Sequence, residues 1–109
     1  MVRWKARHTR LEGKAVAVIS IIRSSPISDR QAYEALVEKL DLDHKHPLGL
    51  LFHAAGEVEG AWQIVDVWYS AEYAERFERD TLEPALQELT GKAEAGGAKR
   101  YELHHLVTP

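Results

Sequence analysis

The run "AVAVISIIR" at 15–23 is aliphatic on both alternating faces, interrupted only by Ser20 and Arg23. That pattern predicts a strand covered on both sides. "SSPIS" breaks the run. Ser28 is the expected N-cap of a helix, with Gln31 as its capping-box partner. Tyr33, Leu36, Val37 and Leu40 then recur at helical spacing, which predicts an amphipathic helix over 29–40. "DLDHKHPLG" reads as a polar loop. Strands are expected at 49–56 and 61–69, joined through "GEVEG" as a short hairpin. Ser70 is positioned to cap a second helix that turns Tyr73, Ala74 and Phe77 inward. Pro84 predicts a break near 81–83, after which Leu82, Ala85, Leu86 and Leu89 resume the stripe. Gly91 suits a C-cap, "KAEAGGAK" a connector, and "RYELHHLV" a closing strand.

The predicted order is β-α-β-β-α-β. Antiparallel pairing with right-handed crossovers makes this an α+β, ferredoxin-like chain: a four-stranded sheet with both helices on one face. In the 61–69 strand, Trp62, Ile64 and Trp68 share one face, and Val65, Val67 and Tyr69 the other. Two helices cover one face only. The economical cover for the other is a second copy of the chain, so a homodimer is expected.

Composition narrows the classes. With 109 residues the chain is one domain, and with no cysteine it has no disulfide, thiolate or Cys-zinc chemistry. A net charge of −3 gives no reason to expect nucleic acid. No apolar run approaches a membrane span. The start has basic residues but no apolar segment of the signal-peptide kind, so a cytoplasmic location is the default expectation. Arg3, Lys5, Arg7, Arg10 and Lys14 face only Glu12. Residues 1–14 are read as a flexible basic arm, a solvated tail, and 15–109 as the domain.

Three segments carry a family resemblance: "GLLFHAAG", "GAWQIVDVWYSAEYAERF" and "YELHHLV". Together they resemble the dimeric α+β barrel superfamily, in particular proteins of the antibiotic-biosynthesis-monooxygenase type and their small relatives. The resemblance spans about residues 15–107. It implies a dimer with two sheets face to face, and a pocket between sheet and helices or at the barrel mouth. The activities it implies are cofactor-free monooxygenation, polyketide cyclisation, haem degradation, lactone isomerisation or none. No complete catalytic set matches, so no role is carried over.

The residues themselves offer His53 and Asp66 as an acid–base pair. A four-residue loop, Glu57–Gly60, sets Gly56 opposite Ala61, His53 opposite Ile64 and Leu51 opposite Asp66. His53, Trp62, Ile64, Asp66 and Trp68 then share one face, while Leu50, Phe52, Val65 and Val67 go to the helix side. A loop one residue shorter would separate His53 from Asp66. The plain alternative is a structural hydrogen bond satisfying two buried groups. In the functional version Asp66 orients the imidazole and His53 is a base.

His104 is the expected third member from the closing strand. Trp62, Trp68, Tyr69 and Ile64 are the expected ligand wall. "DHKH" (Asp43, His44, His46), with His53 beyond it, is a weaker metal-chelating alternative; a solvated loop is the preferred reading. The chain has no glycine-rich nucleotide loop, no HExxH and no Gly-x-Ser-x-Gly. The expectation is therefore a small cofactor-independent enzyme without metal, acting on an aromatic or polyketide-like molecule. Cyclisation, isomerisation and oxygenation all fit. The rival is a non-catalytic dimeric module that binds a small molecule or serves a stress or regulatory role.

Overall fold

In the computed structural model, residues 7–9, 16–23, 29–92 and 99–108 are described. The elements in order are β1 (Arg7–Thr9), β2 (Val18–Arg23), α1 (Arg30–Leu40), β3 (Leu50–Val58), β4 (Ala61–Trp68) and α2 (Ala71–Phe77). A π turn (Glu78–Leu82), α3 (Glu83–Thr90), β5 (Lys99–Glu102) and β6 (Leu106–Thr108) follow. The main sheet has four antiparallel strands in the order β3-β4-β2-β5. This is the ferredoxin-like order, and the α+β expectation holds. A separate two-stranded ribbon pairs β1 with β6.

That ribbon changes two expectations. Arg7–Thr9 are paired with Leu106–Thr108 rather than free, so this part of the basic arm is a strand and not a tail. The expected closing strand is also two strands. β5 follows β2, and Leu103 N–H still donates to the Ala17 carbonyl at 2.8 Å. The chain then bends at 103–105 and leaves the main sheet to pair with β1. The other arm positions, the Ser28 cap and most of the "KAEAGGAK" connector lie outside the described residues.

The helix ends follow side-chain chemistry. Asp29 caps α1, its carboxylate accepting from Ala32 N–H at 2.8 Å. α2, the π turn and α3 form one continuous helical path from 71 to 90. Pro84 cannot donate to the carbonyl four residues back, and its ring crowds that carbonyl. The path widens just ahead of it, with Glu83 N–H reaching the Glu78 carbonyl five residues back. Gly91 is the C-cap of α3.

The hairpin between β3 and β4 is tighter than expected. Glu59 (φ 50°) and Gly60 (φ 78°) form a two-residue turn, both in the left-handed region. Val58 pairs with Ala61 and His53 pairs with Asp66. The loop is two residues shorter than the one expected. A shift of two positions preserves faces, which a shift of one does not. A bulge between Leu50 and Phe52 then brings Leu50 opposite Trp68.

Both helix-packed clusters lie on the face carrying Ile64 and Trp68. One joins Ile22, Leu36, Ile64, Leu82 and Leu86. The other joins Val18, Leu50, Trp68 and Ala74, and Phe77 touches both. The sequence reading had the two faces exchanged, except for Leu50, which the bulge returns to the helix side as expected. The His53–Asp66 face is the helix face, and Phe52 and Val65 look away from it. The shared face of Trp62, Ile64, Asp66, Trp68 and His53 was legible; which cover it received was not.

Candidate functional site

Strand pairing lines up four polar residues across the sheet. His53 on β3 lies opposite Asp66 on β4, Asp66 opposite Ser20 on β2, and Ser20 opposite Arg100 on β5. The row runs beneath the helices through an apolar layer in which Val18, Ile22, Ile64 and Trp68 are all buried. Helical residues close both ends. Tyr33 of α1 meets His53, and Glu78 of the π turn pairs with Arg100.

The β3 end is fully connected. His53 Nδ1 bonds Asp66 Oδ1, and His53 Nε2 lies 2.5 Å from the Tyr33 hydroxyl. The Asp66 and His53 side chains are 13% and 26% exposed, so the pair is shielded from bulk water. A carboxylate only accepts, which places the imidazole proton on Nδ1. Burial, and then the negative fields of Asp66 and Asp43, raise the Tyr33 phenol above its ordinary 10.0. Tyr33 therefore keeps its proton and donates to Nε2. The order is Tyr33 O–H to His53, and His53 Nδ1–H to Asp66. It has the logic of a nucleophile–histidine–aspartate triad with a phenol in the first position.

The β5 end is less satisfied. Ser20 Oγ and Arg100 Nε are buried and have no hydrogen-bond partner among the described residues, and the same is true of Trp62 Nε1.

A cavity opens between the sheet and the helices, over Tyr33, His53, Asp66, Ile64 and Trp68, and is closed by Leu36, Phe77 and Leu86. Its free volume is about 40 Å³. That admits a few waters or one small group, and falls well short of the ~150 Å³ that accommodates a benzene ring. The room lies outside. A groove of about 330 Å³ adjoins the cavity through Leu40, Leu42, Pro47 and Phe77, and is rimmed by Lys45, His46, Tyr73, Arg76 and Asp80. Gly49 helps build this corner. A Cβ there would sit 2.3 Å from Tyr73 Cγ, and φ is +85°, so Tyr73 can pack against the strand only over glycine.

The expected site residues are thus partly gathered. His53, Asp66, Ile64 and Trp68 line the cavity. Trp62 shares their face and supports Tyr33, with ring centroids 5.3 Å apart, but does not line the cavity. Tyr69 is 44% exposed beyond the end of β4, edge-on to Tyr73 and away from the cavity. His104 is exposed at the bend between β5 and β6 and does not reach His53, because the chain has left the main sheet there.

In the "DHKH" loop the two histidines are committed separately. His44 Nδ1 bonds Asp41 at 2.7 Å, and His46 Nε2 donates to the Leu50 carbonyl at 2.6 Å. The residue that sequence reasoning missed is Tyr33. It stands in the inward stripe of α1, where a tyrosine among leucines signals a hydroxyl in need of a buried partner.

No family model matches the chain, and no curated protein does. Among solved structures, the chain is similar to one described as a candidate antibiotic biosynthesis monooxygenase from Chloroflexus aurantiacus J-10-fl. That match has 16% identity and a TM-score of 0.46, covering 83% of this chain and 93% of that chain. A second, described in the same terms, is from Caulobacter crescentus CB15. It has 18% identity and a TM-score of 0.44, covering 81% of this chain and 86% of that chain. No helix among the described residues is long and apolar enough to cross a membrane.

Proposed function

We propose that the chain is a cofactor-independent acid–base enzyme that removes a proton from an acidic C–H or phenol of an aromatic or polyketide-like molecule. The observation that carries this reading is the Tyr33–His53–Asp66 relay in the wall of the cavity. In the proposed step, the Tyr33 oxygen takes the substrate proton as its own proton passes to His53 Nε2. The imidazolium is then held against Asp66, and no free tyrosinate forms. A positioned base of this kind supplies ~10²–10⁴-fold. Cyclisation or isomerisation follows from the resulting carbanion. Oxygenation follows only where that carbanion itself reduces O₂, as for anthrone-like and electron-rich phenolic substrates. The small cavity supports entry of the reacting edge alone, with the rings held in the outer groove.

One observation favours the rival reading of a non-catalytic ligand-binding module: His53 has partners on both ring nitrogens, as a purely structural histidine would. Proton exchange separates the two. In D₂O, the wild-type protein is expected to accelerate hydrogen–deuterium exchange at the acidic carbon of a 2-aryl-1,3-diketone, followed by NMR. Tyr33→Phe and His53→Ala should each lower the rate at least ~10-fold while the diketone still binds. Wild-type exchange no faster than buffer, with binding intact, would favour the module.

We also propose a homodimer formed through the sheet face turned away from the helices. Phe52 is 50% and Tyr101 53% exposed, beside half-buried Ile19, Ile21 and Val65.

A further inference from the structure

We propose that the outer groove is an anion subsite, and that the ligand is a carboxylate whose apolar body runs from Lys45 and Arg76 inward to the Tyr33–His53 end. This rests on the functional reading above for what happens at the inner end, and adds the ligand's charge and orientation.

The groove and the cavity share Leu40, Leu42, Pro47 and Phe77, so a single molecule can occupy both. The volumes decide how it lies. The inner cavity has about 40 Å³ and the groove about 330 Å³, the latter at the lower end of ordinary ligand sites. The bulk of a one- or two-ring molecule belongs in the groove, and only its reacting edge goes inside.

Charge decides which end is which. The inner end holds Asp66 and repels an anion. In the groove the charged groups are Lys45, Arg76 and Asp80. Asp80 is already occupied: Arg79 donates to it from Nε at 2.8 Å and from Nη2 at 3.3 Å. That hydrogen bonding, more than the neighbouring charge of Arg76, holds the Asp80 carboxyl below the usual carboxylate range. Lys45 and Arg76 have no carboxylate partner among the described residues; Arg76 rests over the Tyr73 ring at 5.9 Å. His46 is turned to the Leu50 carbonyl. The groove therefore offers two unneutralised cations above an apolar floor that includes Leu42 and Phe77. A planar carboxylate suits the guanidinium fork of Arg76, with Lys45 as a second point charge.

The test uses matched probes, 2-naphthoate and its neutral amide 2-naphthamide, titrated against the full chain by ligand-observed NMR. Naphthoate is expected to bind about tenfold tighter, the effect of ~1.4 kcal/mol of charge-assisted hydrogen bonding. Arg76→Gln and Lys45→Gln should each remove most of that difference and leave naphthamide unchanged. Added salt should weaken naphthoate alone. Equal affinities in the wild type, naphthoate affinity untouched by both variants, or no saturable binding of either probe would each overturn the subsite. The catalytic reading is scored separately. His53→Ala should retain the naphthoate preference even though it loses proton exchange. A wild type that shows the preference but no exchange leaves the subsite standing and removes only the enzyme.

Discussion

On the helix face of the sheet, Ser20, Asp66 and Arg100 are polar groups set into an apolar layer; on the opposite face, Phe52 and Tyr101 are large apolar groups left half in water. Each face carries what its surroundings disfavour, and for different reasons. On the helix face partners reach most of the polar groups, Tyr33 and Asp66 around His53 and Glu78 on Arg100, while Ser20 Oγ and Arg100 Nε have none among the described residues. A buried polar group without a partner costs roughly 1–3 kcal/mol, a cost that falls in this row on Ser20 Oγ and Arg100 Nε. On the outer face the cost runs the other way. Exposed apolar area forgoes about 25 cal/mol per Å² of burial, and it is recovered when a second surface docks. The first face carries the proposed site and the second the proposed dimer interface.

The largest way to break the comparison is to place a charge on each face in turn. Ile64 is 7% exposed, between Ile22 and Leu86. Ile64→Lys buries an ammonium with no carboxylate designed for it, and should cost more than ~4 kcal/mol, giving an unfolded or insoluble chain. Circular dichroism and urea melts measure it. A soluble, folded Ile64→Lys chain would mean that this face is open, as the sequence alone suggested.

The matching change on the other face should be milder for the fold and decisive for assembly. Phe52→Glu keeps the helix-side core intact. A monomer that tolerates it should lose less than ~1 kcal/mol. If the face is a homodimer interface, the charge removes a central aromatic anchor worth at least ~2 kcal/mol of association. Sedimentation should then show twice the chain mass in the wild type and a single chain mass in the variant. A monomeric wild type at micromolar concentration would end the dimer proposal.

The comparison also shows which parts were legible in the sequence. Alternation in β4 fixed which residues travel together, because period two survives any even error in register. Thus Trp62, Ile64, Asp66 and Trp68 were grouped correctly even though the loop is Glu59–Gly60 and not four residues. The side on which the helices pack is not encoded in one strand's alternation when both faces are apolar, so the cover was assigned to the wrong face. His104 misled because "RYELHHLV" has strand composition throughout, while the chain bends at 103–105, between the part paired with β2 and the part paired with β1. Both pairings are long-range in sequence, and the change of partner leaves no local mark. Tyr33 was placed on the right stripe and read as core. Its role emerges only when β3 brings a histidine beneath it.

The finest test of the helix face is its response to alkali. Tyr33 ionises above its ordinary 10.0 in the folded chain, because burial and then the charges of Asp66 and Asp43 disfavour a phenolate there. The sign follows from linkage. In the unfolded chain the phenol loses its proton at about the ordinary tyrosine value. The folded chain holds it to a higher pH. Below pH 10 both states carry the proton and the full stability is present. Between pH 10 and the raised folded value the unfolded state binds fewer protons, so stability declines as pH rises; above the folded value the loss levels off.

Tyr33→Phe removes this group and should flatten that limb by up to one proton's slope. Urea melts stepped through the alkaline range measure the limb, and the difference in phenolate absorbance between the wild type and Tyr33→Phe follows Tyr33 itself. A wild-type curve that matches Tyr33→Phe across the limb would mean that the hydroxyl does not sit against His53 and Asp66, and the relay would lose its first member.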